Sequence, residues 1–92
     1  MAFARLVVIA GPDLGREFDV PMRGGSIGRD GAGLVVLTDP AVSRLHCHLE
    51  LREEAMWLVD DSGKGRTLVN GAPITIHRLQ TGDELVLGTT RL

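Results

Sequence analysis

Polar residues that could bind an anion are concentrated in three predicted loops. These loops are Gly28-Arg29-Asp30, Ser43-Arg44-Leu45-His46 and Gly63-Lys64-Gly65-Arg66. The planar guanidinium of Arg29 matches two oxygens of a phosphate, whereas Lys64 offers a point charge. Ser43 offers a hydroxyl and an adjacent backbone N–H as further donors. Simpler interpretations exist, since a loop arginine is more often a solvated surface charge and a loop serine often caps its own turn.

Composition limits the classes of function. The 92 residues include ten Lys and Arg against twelve Asp and Glu, for a net charge of −2. We therefore expect no general affinity for nucleic acid or membrane, and any anion site must be local. Apolar residues make up 43% and charged residues 24% of the chain, which are ordinary proportions for a single folded domain over residues 1–92.

The sequence also favours a cytoplasmic location. Its one cysteine, Cys47, cannot form an internal disulfide and is expected to be a small buried residue. No apolar stretch is long enough to span a membrane, and no leader precedes the first apolar segment. The chain is expected to be either an excised part of a larger protein or a short stand-alone module, and its composition does not indicate an oligomeric state.

Short apolar runs separated by glycine and proline predict an all-β domain. Twelve glycines and four prolines interrupt runs rich in Val, Leu and Ile. Apolar and polar residues alternate in Cys47–Arg52, so one face of this strand is expected to be buried. Because each such strand needs a second sheet to cover it, we expect an antiparallel sandwich of two packed sheets. The predicted strands are 6–9, 16–20, 25–28, 34–37, 45–52, 56–60, 67–70, 74–77 and 84–87, with a hairpin turn at 53–54.

Three other kinds of chemistry fit the sequence less well. Ser43, His46 and Asp39 are the residue types of a catalytic triad, but no glycine-rich oxyanion turn accompanies the serine. The run His46-Cys47-His48 could ligate a metal, but strand alternation would send the two histidines to one sheet face and the cysteine to the other. Gly63-Lys64-Gly65 lacks the P-loop pattern, and no helix is predicted after it. We therefore expect no enzyme activity, no metal and no cofactor.

Five short motifs occur in order along the chain. They are Gly28-Arg29, Ser43-Arg44-Leu45-His46, Asn70-Gly71, Gly82-Asp83 and Leu87-Gly88. Each motif alone is weak evidence, but together and at this spacing they resemble the forkhead-associated (FHA) family over nearly the whole chain. The resemblance implies an FHA/SMAD-like β-sandwich with its ligand site on loops at one end. It also implies that the partner is a protein or peptide containing phosphothreonine.

The resemblance assigns ligand-binding roles to three residues. It makes Arg29 the first phosphate anchor and Ser43 a second phosphate contact. Arg44 occupies a position that often donates a further hydrogen bond to the phosphate or the peptide, although a plainly exposed side chain is an equal alternative.

Four further residues acquire structural roles from the same resemblance. His46 is expected to brace its loop through hydrogen bonds without touching the ligand. Asn70 is expected to tie neighbouring turns together through its amide. Gly28 is expected to let the backbone turn tightly before Arg29, and Gly71 to permit a positive φ in the turn after Asn70.

The loop before Asn70 departs from the family pattern. The usual segment is Ser-Thr-Asn-Gly-Thr, whereas this chain has Gly63-Lys64-Gly65-Arg66-Thr67 at the same length. Lys64 replaces a small hydroxyl that meets the phosphate, and it can still donate as a point charge. Gly65 replaces the asparagine that holds the peptide backbone, which removes hydrogen bonds worth about 0.5 to 1.5 kcal/mol each. Arg66 replaces a glycine, so it requires a negative φ or some strain, and it adds a fourth cation to the predicted patch.

Two functions remain open on this basis. The first is a phosphothreonine-dependent protein–protein interaction module in signalling, with phosphopeptide contacts from Arg29, Ser43, Arg44, Lys64 and Gly65. The second is a degenerate FHA domain that mediates a phosphate-independent interaction or self-association through the same loops or a sheet face. The altered segment at 64–66 is the reason to retain the second.

Overall fold

The computed structural model describes residues 3–92, and within them the ordered elements are all strands. This confirms the predicted all-β class. In chain order the strands are β1 (Ala4–Val7), β2 (Glu17–Val20), β3 (Gly25–Gly28), β4 (Val35–Val36), β5 (Cys47–Arg52), β6 (Ala55–Asp60), β7 (Thr67–Val69), β8 (Ala72–Pro73), β9 (Ile76–Arg78), β10 (Leu85–Leu87) and β11 (Thr90–Arg91).

The strands form two packed layers, as predicted. One layer is a five-stranded sheet in the order β4-β3-β5-β6-β9. The other combines the four-stranded sheet β11-β10-β7-β8 with the β1–β2 hairpin, because a bridge between Ala10 and Arg91 joins the segment after β1 to β11. The pairing is antiparallel except between β3 and β4, which run parallel. That one pair departs from the predicted antiparallel arrangement.

The core lies between the layers and follows the predicted alternation. In β5, Cys47 and Leu49 are buried and Leu51 is partly buried, whereas His48 and Arg52 point to the other face. Burial of such aliphatic side chains contributes about 1.5 to 3 kcal/mol each relative to exposure. The largest fully buried apolar side chains are Val8, Val20, Ile27, Val35, Leu37, Val42, Leu49, Leu58, Leu85 and Leu87.

The first strand is displaced from its predicted position. The run Leu6–Ile9 was expected to be the strand, but β1 ends at Val7. At Val8 the N–H donates to Arg16 O and the carbonyl accepts from Gly15 N–H. Gly15 and Arg16 therefore both face Val8 in a β-bulge, and the regular ladder of hydrogen bonds stops there. The short strands β8 and β11 were not predicted, because two-residue segments carry no readable periodicity.

The hairpin turn predicted at residues 53–54 joins β5 to β6. Glu53 and Glu54 have φ values of 51° and 66°. Two positive φ values in a two-residue loop match the right-handed twist of the flanking strands.

Strand register brings three loops to one end of the sandwich. Ile27 of β3 pairs with Cys47 of β5, and Cys47 pairs with Asp60 of β6. The loop after β3, the loop before β5 and the loop after β6 therefore all lie at the same end of the strands of the five-stranded sheet. None of the described residues belongs to a helix that could cross a membrane.

Candidate functional site

Gly28 lies where the backbones of the first two loops approach each other closely. A Cβ placed on Gly28 would lie 2.2 Å from Arg44 O and 2.7 Å from Ser43 O, so any larger residue would push the loops apart. The backbone N–H of Arg29 donates to Ser43 O at 3.2 Å, and that of Asp30 donates to Arg44 O at 3.1 Å. Gly28 does not have a positive φ. Gly28 is therefore not required for a left-handed conformation, and the close approach of the two backbones is what excludes a side chain here.

The side chain of Arg29 is held at its inner end and open at its outer end. Its Nε donates a hydrogen bond to Val42 O, and the residue as a whole is exposed. Val42 itself is buried, so its carbonyl is a fixed acceptor. The hydrogen bond from Nε therefore removes part of the freedom of the exposed Arg29 side chain.

His46 is fully buried and links the second loop to the third. Its Nδ1 accepts a hydrogen bond from Ser43 N–H at 3.0 Å, and its Nε2 lies 3.0 Å from Arg66 O. A carbonyl oxygen can only accept, so Nε2 carries the proton and the ring is neutral. The backbone N–H of Ser43 is consequently engaged inside the protein, and its hydroxyl is the donor that remains for a ligand.

We expect His46→Ala to destabilise the domain by about 2 to 4 kcal/mol, because it removes two hydrogen bonds and leaves a cavity. Denaturant unfolding measures this change, and hydrogen exchange should show faster opening around Ser43. His48→Ala is the control, since His48 is only partly buried. Equal losses of stability in the two variants would contradict a bracing role for His46.

Asp60 organises the third loop. Its carboxylate accepts hydrogen bonds from Ser62 Oγ at 2.8 Å, from Gly63 N–H at 3.0 Å and from Thr67 Oγ1 at 2.6 Å. Burial would raise the pKa of Asp60, but these hydrogen bonds outweigh it and the pKa is lowered. The carboxylate of Asp60 therefore binds residues at both the beginning and the end of the loop.

The glycines of this loop adopt left-handed conformations. Gly63 and Gly65 have φ values of 68° and 65°, which explains why glycine suits both positions. Arg66 does not have a positive φ, so the backbone accepts an arginine there without strain. Lys64 and Arg66 are both exposed.

Four cations line these loops without an acidic partner. Within residues 3–92, none of them forms an ion pair, and all four are exposed. Unpaired cations on neighbouring loops favour an anionic ligand. They are Arg29, Arg44, Lys64 and Arg66.

Two buried aspartates, which were not predicted as loop anchors, fix the segment that precedes Ser43 through hydrogen bonds. Asp39 accepts hydrogen bonds from the N–H and hydroxyl of Thr89, from Thr90 Oγ1 and from Ala41 N–H, at 2.7 to 2.9 Å. Asp13 accepts from the N–H of Thr38 at 2.8 Å and from its hydroxyl at 3.0 Å. The one usable sequence signal is that an aspartate beside a proline often caps its own turn.

Asn70 and Gly71 lie away from the three loops. They follow the far end of β7, whereas Thr67 at its near end adjoins the third loop. The amide of Asn70 donates to Asp83 Oδ1 and accepts from Glu84 N–H, both at 3.0 Å, and Gly71 has a φ of 86°. Asn70 therefore ties together two turns at the end of the sandwich opposite the three loops.

The side-chain arrangements needed for a catalytic triad or for a metal site at His46-Cys47-His48 are not formed. His46 contacts the backbone N–H of Ser43, not its hydroxyl, and Asp39 bonds to the threonines of the last turn. The expected split of His46-Cys47-His48 between two faces is also wrong: His46 and Cys47 are both buried, and only His48 lies on the outer face. His46 precedes the strand, so strand alternation does not apply to it. Burial raises the pKa of the Cys47 thiol to about 12, which leaves it unreactive.

Comparisons with known proteins give one consistent result. Residues 7–92 match the Yop-YscD family model, described as the cytoplasmic domain of the inner membrane component of T3SS. The oxoglutarate dehydrogenase inhibitor of Corynebacterium efficiens is 36% identical over 89 residues, covering 97% of this chain and 63% of the relative. The chain thus spans somewhat under two thirds of the length of that relative.

Solved FHA domains share the architecture. One, from a structural and functional analysis of phosphothreonine-dependent FHA domain interactions, has a TM-score of 0.84 and 29% identity, covering 95% of this chain and 88% of that one. The FhaA FHA domain, complexed with the intracellular domain of another protein, has a TM-score of 0.79 and 28% identity, covering 89% of this chain and 90% of that one.

Proposed function

Because the chain belongs to the Yop-YscD cytoplasmic-domain family, whose members are FHA-type domains, we propose that it is a phosphothreonine-dependent protein–protein interaction module. Its ligand is a phosphorylated segment of a partner protein, bound by the loops that contain Arg29, Ser43, Arg44 and Lys64. Gly65 contributes only backbone groups to such a segment. FHA domains are interaction modules and not enzymes. In this chain His46 contacts the backbone N–H of Ser43 and Asp39 bonds to Thr89, so the three residues do not form a catalytic triad.

The observation that carries this proposal is the fixed position of Arg29 beside Ser43. Arg29 is hydrogen-bonded through its backbone to Ser43 and through Nε to Val42, while the residue as a whole remains exposed. A guanidinium held in this way can meet two phosphate oxygens with little further loss of side-chain freedom. We expect the Ser43 hydroxyl to supply a third donor to the phosphate.

Two relatives support the choice of ligand. The FHA domain that is 29% identical comes from a study of phosphothreonine-dependent FHA domain interactions, and the FhaA FHA domain forms a complex with the intracellular domain of another protein. The matching family model describes a cytoplasmic domain, which supports a cytoplasmic setting. The proposed role in signalling follows from the proposed dependence of binding on phosphorylation.

Calorimetry with three peptides that differ at one residue tests the proposal. The phosphothreonine peptide should bind and the threonine peptide should not, because a phosphate carrying about −1.5 to −2 charges supplies most of the attraction. The phosphoserine peptide should bind within about fourfold of the phosphothreonine peptide, since burial of one methyl group contributes only about 0.8 kcal/mol. Equal affinity for threonine and phosphothreonine would instead identify a phosphate-independent interaction module.

A further inference from the structure

A cleft opens at the end of the sandwich opposite the three loops. It has a volume of about 350 Å³. Residues 3–6 form one side of it, the turn at 80–83 and Leu85 form the other, and Met56 and Leu79 lie between them. Met56 is near the start of β6, whereas the third loop follows the end of that strand. The cleft is therefore separate from the proposed phosphopeptide site.

The width of the cleft corresponds to one extended strand. Next to the cleft, β11 lies between β1 and β10: Arg91 bonds to Ala10, and Leu92 exchanges two hydrogen bonds of 2.9 Å with Leu85. Neighbouring strands lie about 4.8 Å apart, so the strands on either side of β11 are separated by about twice that distance. The cleft continues the line of β11 towards residues 3–6.

The edge of β1 that faces the cleft has unpaired backbone groups. Val8 directs its N–H and carbonyl to the segment before β2, whereas the N–H of Ile9 donates to Arg91 O at 2.8 Å. Because these directions alternate along a strand, Arg5 and Val7 direct their backbone groups away from β2 and towards the cleft. Within residues 3–92, the N–H and carbonyl groups of Arg5 and Val7 have no backbone partner on that side. Two residues of β1 can therefore pair with an added strand.

The interior of the cleft is apolar. Leu6, Met56, Leu79 and Leu85 line it, and of these Leu6 and Leu79 are only partly buried although they pack against the core. Side chains alternate between the two faces of a strand. An added strand would therefore direct every second side chain onto these residues and the others to solvent.

The cleft is too small to hold two folded domains together. It runs along four residues of the chain, 3–6, which corresponds to about 13 Å, and it is about 10 Å wide, so its mouth covers roughly 130 Å². A stable interface between two folded proteins buries about 800 Å² on each of them. A single extended segment matches this size, whereas a second copy of the domain does not.

The charges beside the cleft favour a basic segment. The strands β1, β2, β10 and β11 and the turn before β10 carry more carboxylates than guanidinium groups. The carboxylates are Glu17, Asp19, Asp83 and Glu84, and the guanidinium groups are Arg5 and Arg91. Opposite charges attract across an interface and suppress the wrong partners. Lysine or arginine side chains that face solvent from an added strand would therefore be favoured over acidic ones.

We propose that this cleft binds an extended segment of a partner protein, which adds a strand in line with β11 and antiparallel to β1. The segment has apolar side chains at alternate positions, which cover the interior of the cleft, and basic side chains between them. Hydrogen bonds with the backbone of Arg5 and Val7 supply affinity, and the alternate apolar side chains supply specificity. This interaction goes beyond the proposed phosphopeptide binding and does not depend on it.

Hydrogen exchange measured by NMR tests whether the edge of β1 is open. In the free domain the amides of Arg5 and Val7 should exchange at least about tenfold faster than the amide of Leu6, which faces β2. Equal protection of the three amides in dilute protein would overturn the proposal. Protection of Arg5 and Val7 that increases with protein concentration would identify a second copy as the occupant and would also overturn it.

The probe for binding is a peptide of roughly seven residues in which leucine and valine alternate with lysine and threonine. At roughly ten times its dissociation constant, it should slow the exchange of the Arg5 and Val7 amides about tenfold. A peptide with glutamate in place of lysine should bind about two- to threefold more weakly at about 0.1 M salt. A peptide of the same composition with its apolar residues consecutive should bind at least about tenfold more weakly, because it cannot direct them all to one face.

Two further reagents test the geometry. N-methylation of the two probe residues that face β1 removes their N–H donors and should weaken binding at least about tenfold. Ala4→Phe places a large side chain in the cleft and should abolish binding of the probe. The matched control is Ala72→Phe on the exposed strand β8, which should bind the probe like the parent.

Four results would overturn the proposal. The first is that the probe does not bind at about 1 mM. The second is that the N-methylated or the consecutive peptide binds as tightly as the probe. The third is that the probe binds without slowing the exchange of the Arg5 and Val7 amides. The fourth is that Ala4→Phe and Ala72→Phe bind the probe equally well. The N-methylated peptide tests the unmodified domain, so the outcome does not depend on the folding of any variant.

Discussion

Arg29→Ala is expected to weaken the binding of a phosphothreonine peptide at least about tenfold, because a charge-assisted hydrogen bond contributes about 1.5 to 3 kcal/mol. The variant should remain folded, since Arg29 is exposed and its one intramolecular side-chain bond is to the carbonyl of Val42. Titration calorimetry measures the affinity, and thermal unfolding checks the fold.

Two matched variants make this result specific. Arg29→Lys keeps the charge but loses both the planar pair of donors and the Nε bond to Val42, so its affinity should lie between those of the parent and Arg29→Ala. Arg23→Ala removes an exposed arginine from outside the loops and should bind like the parent. If Arg29→Ala bound as tightly as the parent, Arg29 would not be the phosphate anchor.

The largest effect on stability is expected for Asp39→Ala. Asp39 is 1% exposed and accepts four hydrogen bonds, three of them from Thr89 and Thr90 near the end of the chain. Removing a buried carboxylate leaves those donors without an acceptor, so we expect a loss of about 3 kcal/mol or more in the free energy of unfolding. Chemical denaturation gives that value directly.

The same residue should make the stability depend on acid. Burial would raise the pKa of Asp39, but the hydrogen bonds from Thr89, Ala41 and Thr90 outweigh it and lower the pKa from 3.8 to about 2. A carboxyl whose pKa is depressed in the folded state stabilises the protein above its unfolded pKa. That contribution is lost as the pH falls through 3.8 towards about 2.

Asp39→Asn isolates this contribution because the amide does not titrate. The difference in unfolding free energy between parent and variant should be constant above about pH 5 and should narrow as the pH falls towards about 2. Other aspartates with lowered pKa values, such as Asp13 and Asp60, act equally in both proteins. A difference that did not change with pH would show that the charge of Asp39 is not involved. His48→Asn, at a partly exposed site, serves as the substitution control.

What could be predicted from the sequence was local in character. The alternation in β5, the turn at 53–54 and the positions of most strands follow from side-chain periodicity and from glycine and proline, which act within a few residues. The motifs indicated the family for a related reason, since each is a short run and their order and spacing can be read directly along the chain. The negative φ required of Arg66 was likewise a local steric argument.

The arrangement of the site depended on contacts that no local pattern encodes. Asp39 finds its donors 50 residues away in the sequence, and the Nε2 of His46 finds the carbonyl of Arg66 across 20 residues. Gly28 is required because two backbones approach each other, which is visible only when the loops are in place.

The sequence by itself therefore determined which residue types this protein has available for an anion, and on which kind of element they lie. Only the tertiary structure decided which of them meet. Buried polar groups must find partners wherever the fold brings them, so His46 and Asp39 support the loops from inside the protein. The four cations form no ion pair within residues 3–92 and remain exposed, which is why we propose them as the surface that a ligand meets. The tertiary structure also separated Asn70 from those cations, because strand β7 leads from the third loop to the opposite end of the sandwich, where Asn70 lies.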